Sequence, residues 1–270
     1  EFGQEFMRDH VGAGNKASEL VAKESILRLH LTPTFGKHFI RDIDEGSINR
    51  FVKQQLNKGL KPKTVNNQLI LLRTILGCAH ENEQILKIPK IKKLRVPTLK
   101  VEFLDEEEKR RLTHAAAIEP EWQAAILLAL NCGLRLGELI ALKWEDIDLV
   151  KQSLWVQRSD WQGTIDIPKS GQSRVIPLNQ EVTTALKKIR SLKGPWIFSR
   201  PDGTRRNNDE FAAALTRIRK RAGLRGFAWH LLRHTFASHL ACNRIPLHVI
   251  KDLMGHASLT ITMRYAHLGY

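Results

Sequence analysis

Apolar positions recur at helical spacing through residues 16–86, and polar residues mark where each run starts and stops. In KASELVAKESILRLHL, Leu20, Ile26, Leu27, Leu29 and Leu31 form the repeating set. DEGSINRFVKQQLNKG opens on acidic residues and closes at Gly59, the charge and cap arrangement of a helix. KPKTVNNQLILLRTILGCAHENEQ opens with Pro62 and Thr64 and then turns strongly apolar. The pattern predicts a helical domain over residues 1–86. Its opening, EFGQEFM, reads as a tag remnant or a clipped end, so that residues 1–15 stand apart and the natural chain is expected to extend upstream.

The periodicity breaks at KIPKIKKLRVPTLKVEF, which holds six Lys or Arg, two Pro and no acidic residue before Glu102. Two prolines limit any helix, and the charges repel one another, so residues 87–101 read as an extended basic linker. A second domain, 102–270, then opens at FLDEEEKRRLTHAAA, with Asp105 as N-cap and acidic residues in the first turn. EPEWQAAILLALNCG predicts a buried helix closed by Gly133, and LRLGELIALKWEDIDL a short helix and a turn. Alternation takes over in SLWVQR, GTIDIP and SRVIPL, short strands separated by turn residues. From Gln180 onward the pattern is helical again.

Composition adds one strong constraint. The chain has 270 residues, is 42% apolar and 26% charged, and carries 43 Lys+Arg against 28 Asp+Glu, a formal charge of +15 with a pI near 10.0. That is enough chain for two domains with real cores, and the surplus favours a polyanionic partner. Lys53, Lys58, Lys61, Lys63 and Arg73 give the first helical region a positive face, and Lys92, Lys93 and Arg95 extend it into the linker. The longest apolar run, AAILLAL, is far below the roughly 18 residues that span a bilayer. Three separated cysteines, Cys78, Cys132 and Cys242, with no CxxC pair, read as reduced and mostly buried thiols of a cytoplasmic protein.

The candidate chemistry lies in the second domain. Arg135 starts a helix with Glu138 three residues on; the pair is either a structural ion pair or an Arg held rigid to grip a phosphate. Lys169 lies between two strand runs, with Ser170 and Gly171 completing a hairpin turn, where it is either solvated or able to protonate a leaving oxygen. In HLLRHTFASHL, His230 and Arg233 share one helical face while Leu232, Phe236 and Leu240 form the buried stripe; His234 and His239 read as satisfied core residues. His256 follows Gly255 in DLMGHASLT, a loop position before another helix. Tyr265 is one of only two tyrosines, both in the last six residues, and so is a candidate nucleophile as well as a candidate anchor. No HExxH, Walker loop or GxSxG elbow is present. Cationic groups around a tyrosine suit a phosphodiester, whose transition state gains negative charge on its non-bridging oxygens. The anion expected is DNA phosphate, and the site is expected to react with it.

In order, Arg135, Lys169, His230, Arg233, His256 and Tyr265 resemble the tyrosine recombinase, or phage-type integrase, family. GLRLGEL resembles its first arginine box, PKSGQSRVIPL its lysine hairpin, HLLRHTFASHL its His-x-x-Arg box, LMGHAS its Gly-His turn and TMRYAHL its nucleophile segment. The fold this resemblance implies is mainly α with a small antiparallel β-sheet: a helical core-binding domain and an α+β catalytic domain, joined by the basic linker into a two-domain C-shaped DNA clamp. The implied function is site-specific DNA recombination, the integration chemistry of mobile elements. Tyr265 would attack the scissile phosphate to give a 3′-phosphotyrosyl intermediate, with Arg135 and Arg233 on the non-bridging oxygens. Lys169 would be the general acid, His230 would assist proton transfer at the nucleophile, His256 would hydrogen-bond the phosphate, and Glu138 would orient Arg135. No cofactor and no metal are implied. The implied partners are double-stranded DNA recombination sites, three further copies in a homo-tetramer, and DNA-bending accessory proteins, with no membrane.

Two departures from the family pattern stand out. Leu231 replaces an acidic residue common in the family, with little expected effect on chemistry. Five residues follow Tyr265, a shorter tail than many relatives dock onto a neighbouring subunit, so single-strand cleavage is expected more readily than tetramer assembly. Two other functions remain open on sequence: type IB topoisomerase-like relaxation by the same chemistry, and a non-catalytic DNA-binding regulator.

Overall fold

The computed structural model describes residues 2–9, 17–97, 101–168, 171–190 and 194–269. The chain divides into two compact units, Glu1–Leu99 and Lys100–Tyr270. The first is helical: α1 (Phe2–Asp9), α2 (Ala17–Ile26) running into a π-helical turn (Leu27–Leu31) and α3 (Thr32–Phe35), then α4 (Glu45–Asn57) and α5 (Pro62–Glu81). Asp44 caps α4, accepting from the Ser47 amide at 2.7 Å, and Pro62 sits in the first turn of α5, where its missing N–H costs nothing. Phe6, Leu31, Phe35, Ile48, Phe51, Val65, Leu69 and Leu76 build the core. Leu29 is half exposed, against its helical spacing: the wider π turn shifts the phase, and Leu31 takes the buried place. The basic run is extended, and its beginning is docked. Asn66 clasps the Leu94 backbone at 2.8 and 2.9 Å, while Ile91 and Leu94 pack on the core of this unit.

The second unit is built around α7. It opens with α6 (Glu106–Ala116), capped reciprocally by Asp105 and Glu108, followed by α7 (Pro120–Cys132) and α8 (Leu136–Ile140). Every residue of α7 from Ala124 to Leu130 is buried, so this helix is apolar all round and sits in the middle, against α9 (Gln180–Ile189) and α11 (Trp229–Cys242). Truncating a residue such as Leu128 to Ala is expected to cost about 2–5 kcal/mol. Between them the chain adds α10 (Asn208–Arg221), and after α11 come α12 (Leu247–Met254), α13 (Leu259–Thr262) and a 3-10 segment, Met263–Leu268.

The strands are β1 (Ile147–Asp148), β2 (Ser153–Val156), β3 (Ser159–Trp161), β4 (Thr164–Asp166) and β5 (Arg174–Pro177). They form an antiparallel three-stranded sheet in the order β1-β2-β5 and a separate β3-β4 pair. The turn joining β3 to β4 has positive φ at Gln162 (47°) and Gly163 (92°), the backbone of a tight two-residue hairpin. The strand runs on either side of Lys169 therefore do not pair with each other as a hairpin would, although the Gly171 amide donates to Pro168 O at 2.9 Å. With β4 already matched to β3, β5 crosses to β2, in the register that buries Leu154 against Ile176 and leaves Trp155 and Val175 outside.

Candidate active site

Glu138 is fully buried and lies where three arginines converge. It is the third residue of α8, and it reaches back as a capping-box Glu does: the Arg135 amide donates to its Oε2 at 2.9 Å. Arg135 Nη1 donates to Oε1 at 2.7 Å, and Arg174, on β5, adds a two-pronged bond at 3.1 and 2.8 Å. Arg233 Nη1 is 4.0 Å from Oε2. Gly137 permits this packing, because a Cβ there would stand 2.3 Å from the Asp160 carbonyl oxygen on β3.

The other prongs of these guanidinium groups end on helix C-terminal carbonyls, which lack intrahelical partners and carry the negative end of the helix dipole. Arg233 donates to Gly133 O at 2.5 Å and Met254 O at 2.6 Å, Arg135 to Gly255 O at 3.0 Å, and Arg174 Nε to Leu253 O at 2.8 Å. Gly133 and Gly255 end α7 and α12 in left-handed conformation, at φ 60° and 61°. A Cβ on Gly133 would collide with the Phe236 ring, and one on Gly255 with the Arg174 guanidinium.

The electrostatics follow from this crowding. Burial alone would raise the Glu138 pKa; the bonds and charge of Arg174, then the charges of Arg135 and Arg233, overcome it and hold the carboxyl at about 2. Burial and then Arg135 press Arg233 down to about 9, still cationic at neutral pH. Three positive charges against one carboxylate leave the locus cationic, and the nearby histidines register it. Burial first, then Arg233, Arg135 and Arg264, lowers His256 to about 3; its Nδ1 lies 2.8 Å from Thr262 Oγ1. At the start of α11, the His230 pKa is lowered by partial desolvation first, then by Arg233 and Arg135.

Tyr265 is 1% exposed, and its hydroxyl lies 2.6 Å from His234 Nδ1. Burial raises the phenol pKa against the opposing pull of Arg264 and Arg233. Burial, then His230, Arg264 and Arg233, lowers His234 to about 4.

Of the residues singled out on sequence, Arg135, Glu138, Arg233 and His256 come together around the ends of α7 and α12, while Tyr265 and His230 meet at His234 on α11, where the charge of Arg233 is felt. Lys169 lies outside the described residues. Lys53, Lys61, Lys63, Arg73, Lys92, Lys93 and Arg95 are exposed on the first unit, Lys92 3.9 Å from Glu45. Cys78 and Cys132 are buried free thiols and Cys242 is exposed. His239 is half-buried and bonded to Leu104 O and Glu106. His234, expected as a satisfied histidine of a packed helix, is half-buried with its Nδ1 bonded to the Tyr265 hydroxyl, a partner that the sequence reading did not name. Sequence reading also missed Arg174, whose signal is an Arg inside an alternating strand, and Arg264, beside the tyrosine and felt by three histidines. Among the described residues, no group of three His, Cys, Asp or Glu could hold a metal ion.

Clustered arginines near a buried tyrosine, on a helical unit with a small sheet, are the features to set against known proteins. The model of the Phage integrase family matches residues 102–270, and the chain belongs to this family. It is 30% identical over 229 residues to the integrase of Salmonella phage P22, covering 77% of this chain and 56% of that protein, so it spans little more than half of that relative. Its fold is that of the Tn1549 transposon integrase solved in complex with a circular intermediate DNA, with TM-score 0.86 at 21% identity, covering 98% of this chain and 93% of the other. It is also similar to the lambda integrase tetramer bound to a Holliday junction, with TM-score 0.77 at 19% identity, covering 98% and 76%.

Proposed function

We propose that the chain carries the DNA-cleaving and rejoining activity of a site-specific tyrosine recombinase, working through a 3′-phosphotyrosyl intermediate. The observation that carries this is the convergence of Arg135 and Arg233 on one buried carboxylate and two helix ends, beside a buried tyrosine. Guanidinium groups held by carbonyls cannot reorient as charge builds on a phosphate, so the site meets the transition state already arranged. Tyr265 attacks phosphorus, Arg135 and Arg233 hold the non-bridging oxygens, His256 donates to the phosphate, and Lys169 protonates the leaving 5′-oxygen. Glu138 positions Arg135. The ester conserves the energy of the broken bond, so resealing requires no cofactor.

Residues 1–86 serve as the core-binding domain, 87–101 as the linker and 102–270 as the catalytic domain. Lys53, Lys61, Lys63, Arg73, Lys92, Lys93 and Arg95 contact the phosphate backbone of double-stranded DNA, giving affinity that falls steeply with salt. The tetrameric relative supports a homo-tetramer on paired sites, with bending proteins as accessories. The cytoplasm, where the DNA lies, is the compartment this reading requires. The test is covalent trapping: the chain is incubated with a pool of nicked duplexes whose cleaved fragment diffuses away. An SDS-resistant adduct, lost in Tyr265→Phe, is expected; tight binding with no adduct from any duplex would overturn the reading.

A further inference from the structure

We propose that His234 is the catalytic residue that takes the proton of Tyr265 during cleavage and returns it during resealing. The proposal rests on the cleavage reaction above and deepens it. The family resemblance gives the proton-transfer task to His230, yet it is His234 Nδ1 that lies 2.6 Å from the tyrosine oxygen. His230 stands one turn earlier on α11, its ring edge-on to that of His234 with centroids 4.5 Å apart.

The direction of this bond follows from the environment. The charged and titratable groups near His234 are His230 and Arg233 on its own helix, and Arg264 and Tyr265 from the segment packed against it. Burial and these positive charges keep the imidazole neutral, while burial keeps the phenol protonated. The Tyr265 O–H therefore donates to a lone pair on Nδ1, which puts the imidazole proton on Nε2. A base so weak does not deprotonate the phenol in advance. The proton moves as the Oη–P bond forms, when the oxygen gives up its electron pair to phosphorus. A bound phosphodiester also offsets the arginine charges that depress His234, which raises its basicity at the moment of need.

The step balances. Tyr265 Oη bonds to phosphorus, the bond from phosphorus to the 5′-oxygen breaks, the phenolic proton goes to His234 Nδ1, and the leaving oxygen takes a proton from the acid assigned to Lys169. Resealing reverses each transfer.

Single-turnover adduct formation on the trapped duplex tests this in His234→Ala, His234→Asn and His230→Ala, each checked for DNA affinity and melting temperature. Asn can accept the hydroxyl hydrogen bond but cannot hold the proton. Both His234 variants are expected to lose about 10²–10⁴-fold in rate, the range of general base catalysis, and His230→Ala less. Two signatures separate the proposal from a structural bond. The loss should persist when the bridging 5′-oxygen is replaced by sulfur, whose departure needs no acid. It should also shrink at high pH, where phenolate forms unaided. Full rate in His234→Asn, faster cleavage in either variant, or recovery on the sulfur duplex would overturn the proposal while leaving the cleavage reaction standing. An unaltered chain that forms no adduct would overturn both.

Discussion

The two units use positive charge in opposite ways. In the first, Lys53, Lys61, Lys63 and Arg73 stand exposed on helix faces, where solvent and salt surround them. In the second, Arg135, Arg174 and Arg233 are sunk among carbonyls and a carboxylate, Arg233 to 2% exposure. Surface lysines add attraction to any phosphate within reach, and each acts nearly alone. These arginines are fixed by bonds to shared partners, which suits them to a single phosphate geometry and makes them depend on one another. On the proposed function, affinity and chemistry fall to different kinds of cation.

That contrast can be broken in order of size. Arg135→Ala or Arg233→Ala is expected to lower adduct formation by about 10²–10³-fold or more while most DNA binding survives; equal loss of binding in a gel assay would erase the distinction. Glu138→Ala leaves three guanidinium groups without their carboxylate and is expected to cost about 3–5 kcal/mol of stability in urea unfolding, along with cleavage. Acid tests the same residue reversibly. The Glu138 pKa is lowered from 4.5 to about 2 on folding, so its contribution is fully present above the unfolded pKa and is lost as pH falls through the folded one. Denaturation midpoints should drop between those two values, by an amount on the order of 3 kcal/mol, and should drop less in Glu138→Gln. Arg174→Lys keeps the charge but loses the two-pronged grip and the Leu253 bond, so cleavage should fall more than salt-dependent affinity. Smallest of all, Lys63→Ala should shift the slope of log affinity against log salt by about one, with stability unchanged to within about 0.5 kcal/mol.

Much of this was legible in local pattern. Asp105 and Glu108, Gly133 at the end of α7, and the apolar α7 itself are decided by neighbours within a turn or two. So were the boxes around Arg135, Arg233, His256 and Tyr265. What escaped depends on distant partners. His234 reads as one more residue of a packed helix until Tyr265, 31 residues later, is folded onto it. Arg174 reads as a strand residue because its carboxylate is 36 residues back and its carbonyl 79 ahead. Strand pairing failed for the same reason: Gln162–Gly163 makes a strong local turn, and only the burial of Leu154 against Ile176 says where β5 goes.

Three consecutive carbonyls at the end of α12, those of Leu253, Met254 and Gly255, each hold a different arginine. The last turn of one eight-residue helix is therefore an interlock. If it frays, each of the three cations loses one of its anchors at the same moment and is left to Glu138 or to the Gly133 carbonyl alone. On the proposed function, one short helix end thus ties the placement of every arginine of the site to the completion of the fold.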